Sequence, residues 1–311
     1  MESLRKISST PIHPLKIQLN GNVFYIKRDD LIPYSFGGNK ARKAGYFFEE
    51  ILRGGYTVVV TYGSSSSNHC RVISNLAAGY GIKCYIVSPE ESYKETVNSR
   101  LVNLFGAQIV KTPLDRVAQT IDSLMENLAR SEKPYFIQGG GHGNLGTRAY
   151  VDAYGEICDF EEQTGIRFDY IFHASGTGTT QAGLVCGAAV AGHSARSIVG
   201  ISIARKKPRG QQVVEDSISD YLESISFTGT LPAVIFEDSY ICEGYGMYNR
   251  EIADTVKDVM VSDGIPLNLT YTGKAFYGML SFLKKNSITN KHILFVNTGG
   301  NPLFCDDLGV L

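Results

Sequence analysis

No run of like charge appears in this 311-residue sequence, and the net charge is only −1. The electrostatic footprint of a nucleic-acid-binding chain is therefore missing, and so is the polybasic patch of a membrane-surface protein. The longest near-apolar stretch, residues 182–192, falls well short of the ~20 residues that cross a bilayer and reads as a buried helix. The first fifteen residues hold no apolar core of a secretory signal. Six cysteines (Cys70, Cys84, Cys158, Cys186, Cys242, Cys305) include no CxxC pair, and the six histidines include no HxxxH or HExxH spacing. Neither a disulfide framework nor a metal site is expected. Reduced, buried thiols in a cytoplasmic enzyme are the expectation instead. No internal repeat, low-complexity tract or obvious flexible linker separates domains.

What is present is a globular composition, 43% hydrophobic, on a chain long enough for two lobes with a core each. Short β-branched or aromatic runs alternate with amphipathic stretches. The runs are Val58-Val59-Val60-Thr61, Cys84-Tyr85-Ile86-Val87, Tyr135-Phe136-Ile137, Tyr170-Ile171-Phe172, Val199-Gly200-Ile201-Ser202-Ile203 and Ile293-Leu294-Phe295-Val296. Strands this short and apolar suit parallel sheets covered by helices on both faces. A strand pair is also expected near the N-terminus, residues 17–19 with 23–27, packing with the C-terminal half. Four runs are followed at once by glycine and small hydroxyl residues, and loops at the carboxyl ends of strands build the ligand sites of open α/β sheets. Four such loops point to one polar pocket assembled from distant segments.

Three of the candidate elements carry chemistry. Ser175-Gly176-Thr177-Gly178-Thr179-Thr180 opens an apolar helix, where free N–H groups and the helix dipole attract an anion. Its spacing matches neither GxxxxGK[ST] nor GxGxxG, so a monophosphate fits better than a nucleotide. A capped, buried helix is the plainer alternative. Gly37-Gly38-Asn39-Lys40 sets a lysine where a turn enters a helix. With an ordinary pKa of ~10.4 it would be a poor nucleophile. Burial, or positive charge from Arg42 and Lys43, would lower that value. Ser64-Ser65-Ser66-Ser67-Asn68-His69 also precedes a helix, where serine either caps the backbone or helps bind a carboxylate.

Taken in order, Lys27-Arg28-Asp29-Asp30-Leu31, Gly37-Gly38-Asn39-Lys40, Ser67-Asn68-His69, the loop at 176–180, Tyr245-Gly246, Tyr271-Thr272-Gly273-Lys274 and Thr298-Gly299-Gly300 resemble the D-cysteine desulfhydrase and 1-aminocyclopropane-1-carboxylate (ACC) deaminase family. The resemblance runs from about Pro11 to Pro302. It implies a two-lobed pyridoxal-phosphate enzyme of fold type II, an α/β architecture of mostly parallel sheets. Residues 1–43 plus 151–311 would form the large lobe and residues 44–150 the small one. It implies that Lys40 carries the cofactor as a Schiff base and serves as the base at Cα. Asn68 would bond the ring oxygen. Thr177, Gly178, Thr179 and Thr180 would hold the phosphate. Tyr271 would lie against the ring, Tyr245 would face the substrate, and Ser67 would contact the substrate carboxylate or assist proton transfer. Thr272 or Thr298 would approach the pyridine nitrogen. A homodimer acting on a small amino acid is implied as well.

The family's deaminases carry glutamate where this chain has Thr272. The resemblance therefore implies β-elimination, with D-cysteine giving pyruvate, ammonia and sulfide. An ACC deaminase and a specialised β-replacement synthase are the alternatives. Asn268-Leu269-Thr270, the serine run, Gly141-His142-Gly143 and residues 205–212 depart from the family pattern. These departures bear on the substrate more than on the cofactor.

Overall fold

β-branched and aromatic residues fill pleated surfaces that are buried on both faces, and the apolar runs accordingly become strands. A computed structural model describes residues 9–90 and 95–311; residues 1–8 of the expected N-terminal piece lie outside the described residues. In chain order the elements are β1 (Ile12–Pro14), β2 (Val23–Lys27), α1 (Asn39–Gly54), β3 (Val58–Tyr62), α2 (Asn68–Gly79), β4 (Lys83–Pro89), α3 (Val97–Leu104), β5 (Gln108–Thr112), α4 (Val117–Leu128), β6 (Pro134–Ile137) and α5 (Asn144–Thr164). They continue with β7 (Tyr170–Ser175), α6 (Thr179–Val190), β8 (Ser197–Ser202), α7 (Arg209–Ser224), β9 (Val234–Glu237), α8 (Arg250–Asp263), α9 (Thr272–Lys285), β10 (His292–Val296) and α10 (Asn301–Asp307).

Two sheets result. One has six strands in the order β1-β2-β10-β7-β8-β9, and the other has four in the order β5-β4-β3-β6. All pairings are parallel except β1 with β2. The expected strand at 17–19 is corrected. The antiparallel partner of β2 is β1, in the register Ile12↔Lys27, while Leu19 makes only an isolated bridge to Asn22 across the Asn20-Gly21 turn. Residues 182–192 fall largely within α6, whose side chains from Thr179 to Ala189 are all buried. All six cysteines are free thiols. Cys70, Cys84 and Cys186 are buried, but Cys242 and Cys305 are exposed, against the expectation of burial.

The strand orders explain where a site can form. From β7 the chain goes outward to β8 and β9, whereas β10 lies on the other side of β7. From β3 it goes outward to β4 and β5, whereas β6 lies on the other side of β3. Each sheet thus has a topological switch point, and a crevice opens at the carboxyl ends of the two strands that flank it. The four loops at these ends are residues 63–67, 139–143, 176–178 and 297–300, which are the glycine-rich loops singled out in the sequence.

Candidate active site

The two switch points face each other, and Lys40 lies between them. Its Nζ donates to the Gly140 carbonyl at 3.1 Å. A side chain at residue 140 would collide with Thr177 (Cγ2 at 2.6 Å) and come within 3.3 Å of Lys40 Nζ, so only glycine lets these three groups meet. Lys40 stands in the first turn of α1 because Gly38, at φ 92°, makes a turn that an L-side chain rarely adopts. A Cβ there would also strike the Thr298 carbonyl at 2.6 Å, which itself accepts the Asn39 N–H at 3.0 Å.

Burial lowers the Lys40 pKa to about 8. The expected contribution of Arg42 is corrected. Its guanidinium turns away, into Asp29 (2.9 and 2.8 Å) and Glu156 (2.6 Å), which neutralise it. Lys43 lies one turn beyond Lys40 on the same helical face. It is fully buried, and its Nζ donates to Thr179 Oγ1 at 2.6 Å. Burial, then the charge of Lys40, depresses its pKa well below the usual lysine value. No carboxylate pairs with it among the described residues.

Thr179 and Thr180 open α6, and Asn39 Nδ2 donates to Thr180 Oγ1 at 3.1 Å. The helix has no side-chain cap at Gly178, so the alternative of a merely capped helix does not hold; its leading N–H groups remain available to an anion. At α2 the plainer reading does hold: Ser67 Oγ accepts the Cys70 N–H at 3.2 Å and caps the helix. Asn68 accepts from Asn98 Nδ2 at 2.9 Å.

The loop after β10 joins these parts. A Cβ at Gly300 would lie 2.4 Å from Asn268 Nδ2 and 3.1 Å from Asn68 Nδ2. Asn268 organises the start of α9. Its Oδ1 accepts the Tyr271 N–H at 2.8 Å, and its Nδ2 donates to Thr272 Oγ1 at 3.0 Å and to the Gly299 carbonyl at 3.1 Å. Thr272 is fully buried and also accepts the Asn268 N–H at 3.0 Å. The Tyr271 hydroxyl makes a short hydrogen bond to that of Tyr245, with the rings at 74° and 5.9 Å between centroids. Burial, then Tyr245, pushes the Tyr271 pKa well up.

The structure therefore brings Lys40, Thr177, Thr179, Thr180 and Thr298 around the start of α1, and Asn68, Tyr245, Tyr271 and Thr272 around Asn268 and Gly300. Ser67 stands beside Asn68 with its oxygen already accepting a backbone proton. Sequence reading missed Lys43 as a site residue, along with Asn39, Gly140 and Asn268. The i, i+3 spacing of Lys40 and Lys43 was the available signal for the first. A further cluster, Cys158, Glu161 and His193, gathers metal-ligand atom types within 4.8 Å of one another. Its one carboxylate is already paired, because Arg196 lies 2.9 Å from Glu161.

Over residues 4–299 the chain matches the family of pyridoxal-phosphate dependent enzymes. It belongs to that family. Among the relatives of this pyridoxal-phosphate enzyme is a D-cysteine desulfhydrase of Serratia proteamaculans, 31% identical over 95% of this chain and 92% of the relative. A protein of Pyrococcus furiosus named putative 1-aminocyclopropane-1-carboxylate deaminase is 32% identical over 94% of this chain and 89% of its own length. The solved structure of an ACC deaminase homologue superposes with a TM-score of 0.87 at 30% identity, covering 100% of this chain and 95% of that one. The architecture is fold type II, with mostly parallel sheets covered by helices.

The residues present fit the family's cofactor. An ammonium buried without a carboxylate is costly unless an anion arrives to pair with it, and Lys43 stands at the uncapped start of α6 where a phosphate would be bound. Gly140 keeps a side chain out of the space between Thr177 and Lys40.

Proposed function

We propose that this chain is a β-eliminating lyase acting on small β-substituted amino acids, with D-cysteine giving pyruvate, ammonia and sulfide. The observation that carries the reading is the Lys40 amine, half-buried and without an anionic partner among the described residues, held where the loops of both sheets meet. The substrate class draws on the D-cysteine desulfhydrases among the relatives.

Bound pyridoxal phosphate would supply an electron sink for bond cleavage at Cα. The protein residues supply the rest. Lys43, Thr177, Gly178, Thr179, Thr180 and the start of α6 bind the phosphate, and Lys40 carries the cofactor. Asn68 bonds the ring oxygen, and Ser67 with the start of α2 receives the substrate carboxylate. Freed when the substrate's amine takes its place, the Lys40 amine, whose proton affinity is lowered, would take and hold the Cα proton. Tyr271 lies against the ring, and its hydroxyl, shared with Tyr245, meets the leaving sulfur. Thr298 and Thr272 would stand on the side of the pyridine nitrogen. Thr272 already accepts two hydrogen bonds from Asn268 and carries no charge to hold a protonated ring nitrogen. That favours prompt loss of a β-substituent over the ring opening of ACC.

The six-stranded and four-stranded sheets are read as the cores of the large lobe (residues 1–43 and 151–311) and the small lobe (44–150), with the cuts inside α1 and α5. No helix among the described residues is long and apolar enough to cross a membrane. A cytoplasmic homodimer completes the reading, on the family resemblance, and sedimentation would test the assembly.

The deciding experiment is a screen of D- and L-amino acids with keto-acid and sulfide detection. Pyruvate and sulfide are expected from D-cysteine, and no 2-oxobutanoate from ACC. Release of 2-oxobutanoate from ACC without any pyruvate from β-substituted amino acids would overturn the assignment.

A further inference from the structure

One buried lysine has no part in the chemistry proposed above. Lys274 lies on α9, one turn beyond Tyr271, and is completely buried. Its Nζ donates to the carbonyls of Ile203, Ile241 and Gly244, each at 3.0 Å. A lysine ammonium has three donors, so the set is complete. No carboxylate among the described residues takes part. Two of the three carbonyls belong to a tight turn after β9. The Ile241 carbonyl also accepts the Gly244 N–H at 3.2 Å, and the Gly244 carbonyl accepts the Met247 N–H at 3.3 Å. Lys274 therefore fills the second acceptor position of each and ties the turn to the end of β8.

The turn has little else to hold it. Ile241 is buried, but Tyr245, Met247 and Tyr248 are all more than 40% exposed. Tyr245 directly follows the tethered Gly244, and its hydroxyl meets that of Tyr271 on the helix that carries Lys274. Oxygen-only coordination by neutral backbone carbonyls is the environment that also suits a bare potassium ion or an ammonium ion of similar size.

We propose that Lys274 is a positioning residue: its ammonium acts as a built-in monovalent cation that fixes the 241–247 turn and so holds Tyr245 against Tyr271. The catalytic use of the two tyrosines rests on the function proposed above, but the tether itself does not.

Hydrogen exchange followed by mass spectrometry tests the tether with or without substrate. In Lys274→Met, amides of residues 241–247 should exchange at least ~10-fold faster, while β7 and β10 keep wild-type protection. With D-cysteine, kcat should fall at least ~10-fold and KM change less than ~3-fold, since the turn orients a reacting group rather than binding the amino acid. In Lys274→Ala, ammonium chloride should restore slow exchange and choline chloride should not. Wild-type exchange of 241–247 in Lys274→Met overturns the tether; failure of ammonium to restore protection in Lys274→Ala overturns the ion-like cage. If D-cysteine is not a substrate, the kinetic arm fails while the exchange arm still decides. Should Lys274→Met not fold, amine labelling of the wild type decides. Lys274 should react only as fast as residues 244–246 exchange, and labelling at the rate of the exposed Lys257 and Lys285 overturns the proposal.

Discussion

Lys40 and Lys43 are one helical turn apart and chemically identical, yet their surroundings give them different work. Among the described residues Lys40 reaches only the Gly140 carbonyl, and burial lowers its pKa to about 8. At pH 7 the neutral fraction is then roughly 10%, against well under 0.1% for an ordinary lysine. Acylation of Lys40 in cofactor-free protein should therefore rise about 10-fold per pH unit up to pH ~8 and level off above it, as read by peptide mass spectrometry. An exposed lysine would go on rising past pH 10. Lys43 is buried beside a threonine, with no anion among the described residues to compensate it. Lys43→Met should thus have two effects of opposite sign. The cofactor-free protein should melt at the same or a higher temperature, because a desolvated amine whose charging is costly is replaced by an apolar side chain. Cofactor affinity, measured by titration, should fall about 10- to 100-fold, the loss of a charged hydrogen bond of ~1.5–3 kcal/mol.

At the level of elements, the contact between α5 and α6 fixes the start of α6 where the phosphate-type loop requires it. Gly183 and Gly187 sit one turn apart on α6. A Cβ at the first would lie 2.4 Å from the Thr147 carbonyl and 2.4 Å from Tyr150 Cβ, and at the second 2.5 Å from Tyr154 Cβ. Backbone cannot step aside as a side chain can, so Gly183→Ala should destabilise by about 1–3 kcal/mol in urea unfolding. The strands were legible because the β-branched runs at 58–61, 84–87, 170–172, 199–203 and 293–296 mark strands buried on both faces. The edge strand β5 and the short β1 were not, since each faces water and lacks a long apolar run; β9 was passed over although Val234-Ile235-Phe236 is such a run. The strand expected at 17–19 failed for a related reason: Leu15 is buried, but Asn20 and Gly21 reverse the chain too soon for a ladder to form beyond Leu19.

At the scale of the whole molecule, a buried cluster of four charges locks α1, β2 and α5 together beneath the site. Asp29 accepts from Arg42 twice, from Tyr150 at 2.7 Å and from Thr10 at 2.8 Å. Glu156 binds Arg42 at 2.6 Å and makes a short contact with Lys27. Although burial alone would raise the Asp29 pKa, Arg42 and then Lys27 hold it far below the usual carboxylate range. A depressed folded-state pKa gives stability that is present above the unfolded value, near ~4, and lost as pH falls toward the folded one. Asp29→Asn should therefore cost about 3–5 kcal/mol at pH 7, by denaturant unfolding, because it leaves two buried cations, Arg42 and Lys27, sharing the single carboxylate of Glu156. The gap between variant and wild type should narrow below pH ~4.

The amino-acid order by itself determined the strand-and-loop alternation, the glycines at the strand ends, and the lysine that stands where a turn enters a helix. These follow from local rules, because β-branched runs, turn glycines and helix starts are set by neighbours in the chain. Only the tertiary structure decided that four loops from two sheets close on one amine, that Arg42 faces a buried acid while Lys43 faces the anion loop, and that Lys274 gathers carbonyls from residues 203, 241 and 244. Partners separated by anything from 13 positions (Arg42 and Asp29) to 259 (Asn39 and Thr298) leave no periodicity in a single sequence, and the charge a side chain feels depends on what folding places against it.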